Sequence, residues 1–308
     1  MKRVSVLAPA KVNLTLHVTG RRGDGYHLLD SLVAFAPVGD QLQIAAGNVL
    51  SLTIEGPEAD GVPADMDNLA LRAAALVAGD TGAALTLVKH LPAASGIGGG
   101  SSDAAAALRG MLAFADAPGL ATLPDMTDAE LTPLAQDIIA LGADVPMCLA
   151  AAPLRARGIG ESLSFAKLPA LHAVLVNPRV PVATPDVFAR LQTRENPPMP
   201  AAAPQFETAR EAISWLALQR NDLEAAAIAL QPVIEDVLRV LRGTSGCQLA
   251  RMSGSGATCF GLFPTADATR AAAQAIHASF PAWWVRATWL GNCAELAMPR
   301  LQQNMPTG

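Results

Sequence analysis

The sequence predicts an α+β fold in two domains, and three observations carry that reading. Each half of the chain mixes strand-like alternation with Ala/Leu-rich helical stretches. At roughly 150 residues per domain, 308 residues suit two domains or one large one. With 51% hydrophobic and 16% charged residues, the chain can fill cores and is too apolar for disorder.

The elements follow in order. The first ninety or so residues read as strands over 4–8, 11–18, 31–38, 41–45, 49–54 and 84–89, interrupted by one helix that Asn68 caps and Gly79 stops. A glycine-rich loop then opens the helical run AAAALRGMLAFA, and a further helix over 128–141 ends at Gly142. A strand over 172–177 leads to a short helix through 190, with Thr184 as N-cap and Pro185 at the first helical position. A Pro/Ala-rich excursion over 194–204, to which no chemistry is assigned, precedes helices over 207–218 and 223–241. Strands over 248–252, 258–263 and 284–289 and a helix over 265–279 complete the second half. The boundary falls near 164–170, giving domains 1–166 and 167–308.

Charge and cysteine usage exclude several functions. With 22 Lys+Arg against 27 Asp+Glu the formal charge is −5, which favours neither nucleic acid nor an anionic membrane as partner. Arg109, Asp137 and Asp144 interrupt the best apolar windows, so no membrane span is expected. The opening MKRVSVLAPA is too short for a secretion signal and continues into a strand. Cys148, Cys247, Cys259 and Cys293 are far apart and without C-x-x-C spacing, which reads as reduced core thiols in a cytoplasmic protein. Neither they nor the five histidines form a zinc pattern.

The strongest signal is PAASGIGGGSSD, Pro92 to Asp103, with four glycines and three serines between a strand and a helix. Glycines admit positive φ and close backbone approach, and a helix N-terminus presents unpaired N–H groups and partial positive charge. A nucleotide polyphosphate suits such a loop, with Ser101 and Ser102 hydroxyls as donors or a magnesium contact. Neither the P-loop nor the dinucleotide fingerprint matches, so a phosphate-binding lysine has to come from elsewhere. Asp103, in the first helical turn, is expected to point sideways, away from phosphate. A flexible turn with Ser102 as a helix cap is the alternative from loop chemistry alone.

Three further segments, PAKVNLTLHVTGRRGDGYH (Pro9 to His27), LGADVPMCL (Leu141 to Leu149) and MSGSGATCFGLF (Met252 to Phe263), join the loop in a recognisable order. Together they resemble the GHMP kinases, the galactose, homoserine, mevalonate and phosphomevalonate kinase superfamily. The pairing of A-K-V-N-L with D-G-Y-H is most similar to its cytidyl-substrate branch. The resemblance implies a two-domain fold with the active site in the cleft between domains, ATP and magnesium as cofactors, and a cytidine diphosphate-linked sugar alcohol as substrate. It implies Asp144 as the base and Lys11 as the group that polarises the acceptor hydroxyl and steadies Asp144. Pro92, Ala93, Ala94, Ser95, Gly96, Ile97, Gly98, Gly99, Gly100, Ser101 and Ser102 would hold ATP. Tyr26 and Phe188 would sandwich the cytosine ring while His27 reads its polar edge, and Asn13 and Thr184 would complete the substrate site. Ser253 to Ala257 resembles the family's third glycine motif, and Asn221 to Glu224 a capped helix start. The metal ligands are left unassigned. Two rivals remain open here: another GHMP acceptor, and a nucleotide-binding module without turnover.

Overall fold

The computed structural model describes residues 2–79, 82–115, 127–128, 130–131, 138–201 and 205–302. An eight-stranded sheet runs in the order β12-β1-β3-β5-β4, with β2 and β6 also paired to β3 and β7 to β6. Its strands are β1 (Arg3–Asn13), β2 (His17–Arg21), β3 (His27–Ala46), β4 (Ser51–Glu55), β5 (Ala83–Val88), β6 (Leu154–Gly158), β7 (Ser162–Phe165) and β12 (Arg300–Gln302). Only the β4–β5 pairing is parallel among the described ladders. The second sheet runs β11-β8-β10-β9, from β8 (Leu171–Asn177), β9 (Leu249–Met252), β10 (Cys259–Leu262) and β11 (Trp284–Leu290).

The stretches over 31–38 and 41–45 are one strand, β3, long enough to pair β2 and β6 at one end and β5 at the other. Opposite it, β1 runs unbroken through Pro9 and shifts register between Pro9 and Ala10. Proline brings no ladder N–H, and a bulge absorbs the irregularity. Gly39 faces that point, where a Cβ would lie 2.1 Å from the Ala8 carbonyl oxygen. The bulge re-aims the end of β1, and so sets where Lys11 points.

Helices α1 (Leu69–Ala78) and α2 (Gly99–Phe114) cover one face of the large sheet, their alanines packed among Val4, Val6, Leu42, Ile44 and Leu85. Asn68 caps α1 as its sequence predicts, accepting from the Ala70 N–H at 2.9 Å. A short α3 (Val145–Ala150) sits beside α2. Helices α4 (Thr184–Ala189), α5 (Ala209–Ala217), α6 (Glu224–Leu230), α7 (Val233–Gly243) and α8 (Ala266–Ser279) accompany the second sheet. A further core joins the two halves, from Val12, Leu14 and Leu32 to Leu171, Leu175 and Phe260. Phe35 and Gly291 exchange two backbone hydrogen bonds at 3.0 and 2.8 Å.

Some expectations change. The helix over 223–241 is two helices, because Pro232 lacks the N–H that would continue the first and instead caps the second. Ala183, not Thr184, caps α4, and Thr184 is already helical. The helix expected over 128–141 lies largely outside the described residues, and its end is a 3-10 turn, Ile139–Leu141. Strands β6, β7 and β12 and helix α3 were not anticipated. The excursion over 194–204 proves structural where described. Arg155, ion-paired to Asp30 at 2.6 Å, also donates to the carbonyls of Met199, Pro200 and Ala201 and straps the segment to the large sheet. No helix among the described residues is long and apolar enough to cross a membrane.

Candidate active site

β1 alternates, so Lys11 and Asn13 share a face. Lys11 is buried, and its Nζ donates to Asp144 Oδ2 at 2.7 Å. Its backbone N–H donates to the Ile97 carbonyl at 2.9 Å, tying β1 to the glycine loop. Gly98, at φ +65°, lets the lysine stem lie against the loop, for a Cβ there would sit 3.2 Å from Lys11 Cβ. Asp144 is the N-cap residue of α3 yet caps nothing, which leaves its carboxylate to Lys11; the side chain is 38% exposed. Proline at 146 would ordinarily bias Val145 toward extended backbone. Val145 is instead helical, because proline is tolerated in a first helical turn, where its missing N–H costs no bond.

Gly98 is also the left-handed N-cap of α2. The N–H groups of Gly99, Gly100 and Ser101 therefore have no partner within the helix and lie at the cleft. The loop after β9 locks against this one. Ser253 Oγ donates to the Gly96 carbonyl at 2.9 Å, and the Thr258 N–H to the Ser95 carbonyl at 3.0 Å. Asn221 Nδ2 holds the carbonyls of Met252 and Gly254 at 2.8 and 2.9 Å, while its Oδ1 accepts from the Leu223 N–H at 3.0 Å. Helix capping is thus only part of its role.

These elements enclose a cleft of about 600 Å³. Pro92, Ala93, Ala94, Ser95, Gly96, Gly98, Gly99, Gly100 and Ser101 line it, together with Lys11, Asn13, Asp144, Thr184 and Phe188. A second pocket of about 280 Å³ adjoins it, and Asn13, Ser101, Asp144, Thr184 and Phe188 are common to both. Asn13 Nδ2 donates to Ser31 Oγ at 2.8 Å, and its Oδ1 is buried without a hydrogen-bond partner. Thr184 Oγ1 lies 2.9 Å from Ser255 Oγ.

Two loop residues behave differently from expectation. Ser102 is fully buried, its hydroxyl donating to the Pro9 carbonyl at 2.7 Å and its N–H to the Gly98 carbonyl at 2.8 Å. It has no donor left for a ligand, because helical phase turns position 102 toward the sheet and leaves 101 at the cleft. The Ile97 side chain packs in the shared core. The aromatic group also differs. His27 and Phe188 stack on each other, centroids 4.6 Å apart and planes 19° apart, and Tyr26 is 61% exposed; of the three only Phe188 lines the pockets. The turn from Arg22 to Tyr26, closed by the Arg22 N–H on the Tyr26 carbonyl at 2.7 Å, directs that ring outward. Burial, with Arg21 and Arg194 nearby, lowers the His27 pKa, so the ring is neutral at pH 7. Its Nε2 is buried and unpartnered.

Sequence reasoning missed the group beneath the loop. Lys89 Nζ donates to Asp103 Oδ2 at 2.6 Å and to Asp40 Oδ2, all three residues being buried. Asp40 Oδ1 also accepts from the N–H groups of His90 and Leu91, at 2.5 and 2.9 Å. Asp103 does turn aside, onto Lys89. Burial pushes its carboxyl up to about 8, with Lys89 opposing and Asp40 adding to the rise. Burial alone would lower Lys89, but the two aspartates outweigh it and raise its pKa. A lone charge inside each of three apolar segments was the available signal.

Three or more His, Cys, Asp or Glu residues nowhere cluster as a metal site among the described residues. A magnesium ion carried by nucleotide phosphates needs few protein ligands and keeps its waters, and the Ser101 hydroxyl at the seam of the two pockets fits that requirement.

Residues 68–151 match the family model for the GHMP kinases N terminal domain, and residues 200–282 that for GHMP kinases C terminal. A Roseobacter denitrificans protein named 4-diphosphocytidyl-2-C-methyl-D-erythritol kinase is 53% identical over 97% of both chains. A Dinoroseobacter shibae protein of the same name is 55% identical over 93% of this chain and 95% of its own. A crystal structure of 4-(cytidine 5'-diphospho)-2C-methyl-D-erythritol kinase superposes with a TM-score of 0.73 at 36% identity, over 94% of this chain and 99% of that one. Homoserine kinase from Cytophaga hutchinsonii shares the fold, with a TM-score of 0.67 at 18% identity over 97% of each chain.

Proposed function

The chain belongs to the GHMP kinases, among the 4-diphosphocytidyl-2-C-methyl-D-erythritol kinases, and from that premise we propose how its residues carry the transfer. It is an ATP-dependent kinase that phosphorylates the 2-hydroxyl of 4-diphosphocytidyl-2-C-methyl-D-erythritol, a step of non-mevalonate isoprenoid precursor biosynthesis. The observation that carries the assignment of roles is the 2.7 Å contact of Lys11 with Asp144. It lies beside free helix amides and between a nucleotide-sized cleft and an acceptor-sized pocket.

ATP occupies the larger cleft with its phosphates on the amides of Gly99, Gly100 and Ser101. The acceptor occupies the smaller pocket, its hydroxyl against Asp144. Asp144 takes the hydroxyl proton as the oxygen bonds to the γ-phosphorus, and the bond from that phosphorus to the β–γ bridging oxygen breaks, releasing ADP. The proton then leaves from the exposed edge of Asp144. Lys11 keeps the carboxylate aimed, and its charge faces the negative charge that gathers on the transferring group. Ser101 and phosphate oxygens would hold magnesium, which when bound neutralises phosphate charge. Asn13 offers its free Oδ1 and Thr184 its hydroxyl to the acceptor. We assign the cytosine to His27 and Phe188, with exposed Tyr26 free to cover the outer face and His27 Nε2 free to meet the base edge. We further read 1–166 and 167–308 as the two domains, and the enzyme as cytoplasmic, in keeping with four free cysteines.

Asp144→Asn tests the reading. ATP binding by calorimetry should persist while turnover falls by about 10³-fold or more. Turnover within about tenfold of the parent enzyme would remove Asp144 from the role of base.

A further inference from the structure

We propose that Arg109 is a positioning residue for the transfer, holding Asp144 in place relative to the phosphate loop by gripping the carbonyl end of α3. This role rests on the assignment of Asp144 as the base.

Arg109 lies on α2, about three turns beyond the phosphate loop, and is among the largest fully buried side chains. Its Nη1 donates to the carbonyls of Cys148 and Leu149, both at 3.0 Å. Its Nε and Nη2 have no partner, and no carboxylate pairs with it among the described residues. Burial lowers its pKa to about 10, which still leaves a cation at neutral pH. An unpaired buried cation is costly, and an apolar side chain of the same size would pack there at less expense. A retained cation therefore needs a reason.

That reason is at the other end of α3. A helix of six residues has little stability of its own, and its last carbonyls lack intrahelical donors. The residue four after Leu149 is Pro153, which has no N–H to offer. At the N-terminal end, Asp144 has given its side chain to Lys11 and caps nothing. Arg109 supplies the missing donors and sets a positive charge against the negative pole of the helix. The same α2 opens on the amides that face the cleft, so one rigid rod fixes both the phosphate cradle and the helix bearing the base. The rod itself has no slack. A Cβ at Gly110 would meet Ile44 Cδ1 at 2.6 Å and Val6 Cγ2 at 3.0 Å, so α2 is seated hard on the sheet.

Arg109→Met and Arg109→Lys, each made in the parent enzyme and in Asp144→Asn, test the role. In the parent, Arg109→Met should lower kcat by about 30-fold, in the range that a shift of under an ångström costs. Both KM values should stay within about twofold, since neither ligand touches Arg109. Arg109→Lys, which keeps a cation able to reach a carbonyl, should restore most of the loss. In Asp144→Asn the Met substitution should change the residual rate by less than about twofold, because nothing is left to aim. Rates are expressed per ATP-binding site titrated, which removes any unfolded fraction. An equal fold-loss in both backgrounds, or a loss that vanishes on that normalisation, would reduce Arg109 to a fold residue. Should Arg109→Met not fold, Arg109→Lys carries the comparison: its smaller loss must appear with Asp144 and disappear without it. A fully active Asp144→Asn would overturn the base assignment first, and this role with it.

Discussion

Gly96→Ala exposes how the nucleotide cradle is built. Gly96 sits at φ +75°, a region that costs an L side chain about 1–2 kcal/mol. A Cβ there would lie 2.4 Å from the Ser253 carbonyl oxygen and 2.8 Å from both Gly256 N and O. All three are backbone atoms, so no rotamer relieves the clash, and the two loops have to part by roughly 1 Å, an overpacking cost of about 1–3 kcal/mol. Together these give about 2–5 kcal/mol, below the total stability of an ordinary protein, so the variant still folds with its melting temperature lowered by roughly 3–8 °C. The displacement does more harm to chemistry. Moving Gly96 moves Ile97, whose carbonyl receives the Lys11 N–H, and so parts the lysine from the phosphate site. We expect kcat/KM for ATP to fall about 10²-fold. Gly100→Ala is the control, because among the described residues the nearest atom to a Cβ there, outside its own turn of helix, is Leu69 Cδ1 at 4.0 Å. It should not lower the melting temperature, so any loss of ATP affinity there reports contact with the nucleotide. The assay pairs thermal melts with initial rates at varied ATP. Unchanged melting and rates within about twofold for Gly96→Ala would refute the interlock as what shapes the cradle.

Two further outcomes follow from the site. Phe188→Ala removes one member of the aromatic pair, and at about 1–3 kcal/mol per stacked base the acceptor KM should rise about 5- to 150-fold with the ATP KM unchanged; equal rises in both would place Phe188 outside the base site. The Asp103 carboxyl, held up to about 8 by burial, keeps its proton in the folded state over a pH range where the unfolded chain has released it. Its contribution to stability is therefore full below the ordinary aspartate range and declines as pH rises toward about 8. Asp103→Asn should flatten that decline in urea unfolding between pH 5 and 9, and an undiminished slope in the variant would assign it to other groups.

Much of this was legible in the residues, and the gaps have physical causes. Local signals were sound where a side chain acts on its own backbone, as with Asn68 capping the start of α1. The Lys11–Asp144 pairing came from motif resemblance, because 133 residues separate the two and no periodicity links them. Ser101 and Ser102 looked equivalent as letters. Only the phase of α2 against the sheet decides that one faces the cleft and the other Pro9. Lys89, Asp40 and Arg109 stand out in the sequence only as lone charges in apolar segments; their partners could not be read, since these depend on which apolar surfaces close over them. Pro153 was visible, but its significance required a carbonyl four residues back and a guanidinium from another helix.

The charge balance of the cleft explains why so many glycines are needed. Its lining carries two lysines, Lys11 and Lys89, and three aspartates, Asp67, Asp103 and Asp144. Lys11 is spent on Asp144, and Lys89 on Asp40, with Asp103, whose carboxyl is pushed up to about 8, accepting a further bond from it. Neither is left as a free counter-charge for a triphosphate, which is the task the lysine performs in a P-loop. Attraction must then come from groups without net charge, the helix amides and a hydroxyl, and these act only at hydrogen-bond range. Close approach of bare backbone is what glycine provides and a side chain would prevent. The remaining counter-charge would have to arrive with the nucleotide, in keeping with the proposal that magnesium rides on the phosphates rather than in a cage of protein carboxylates.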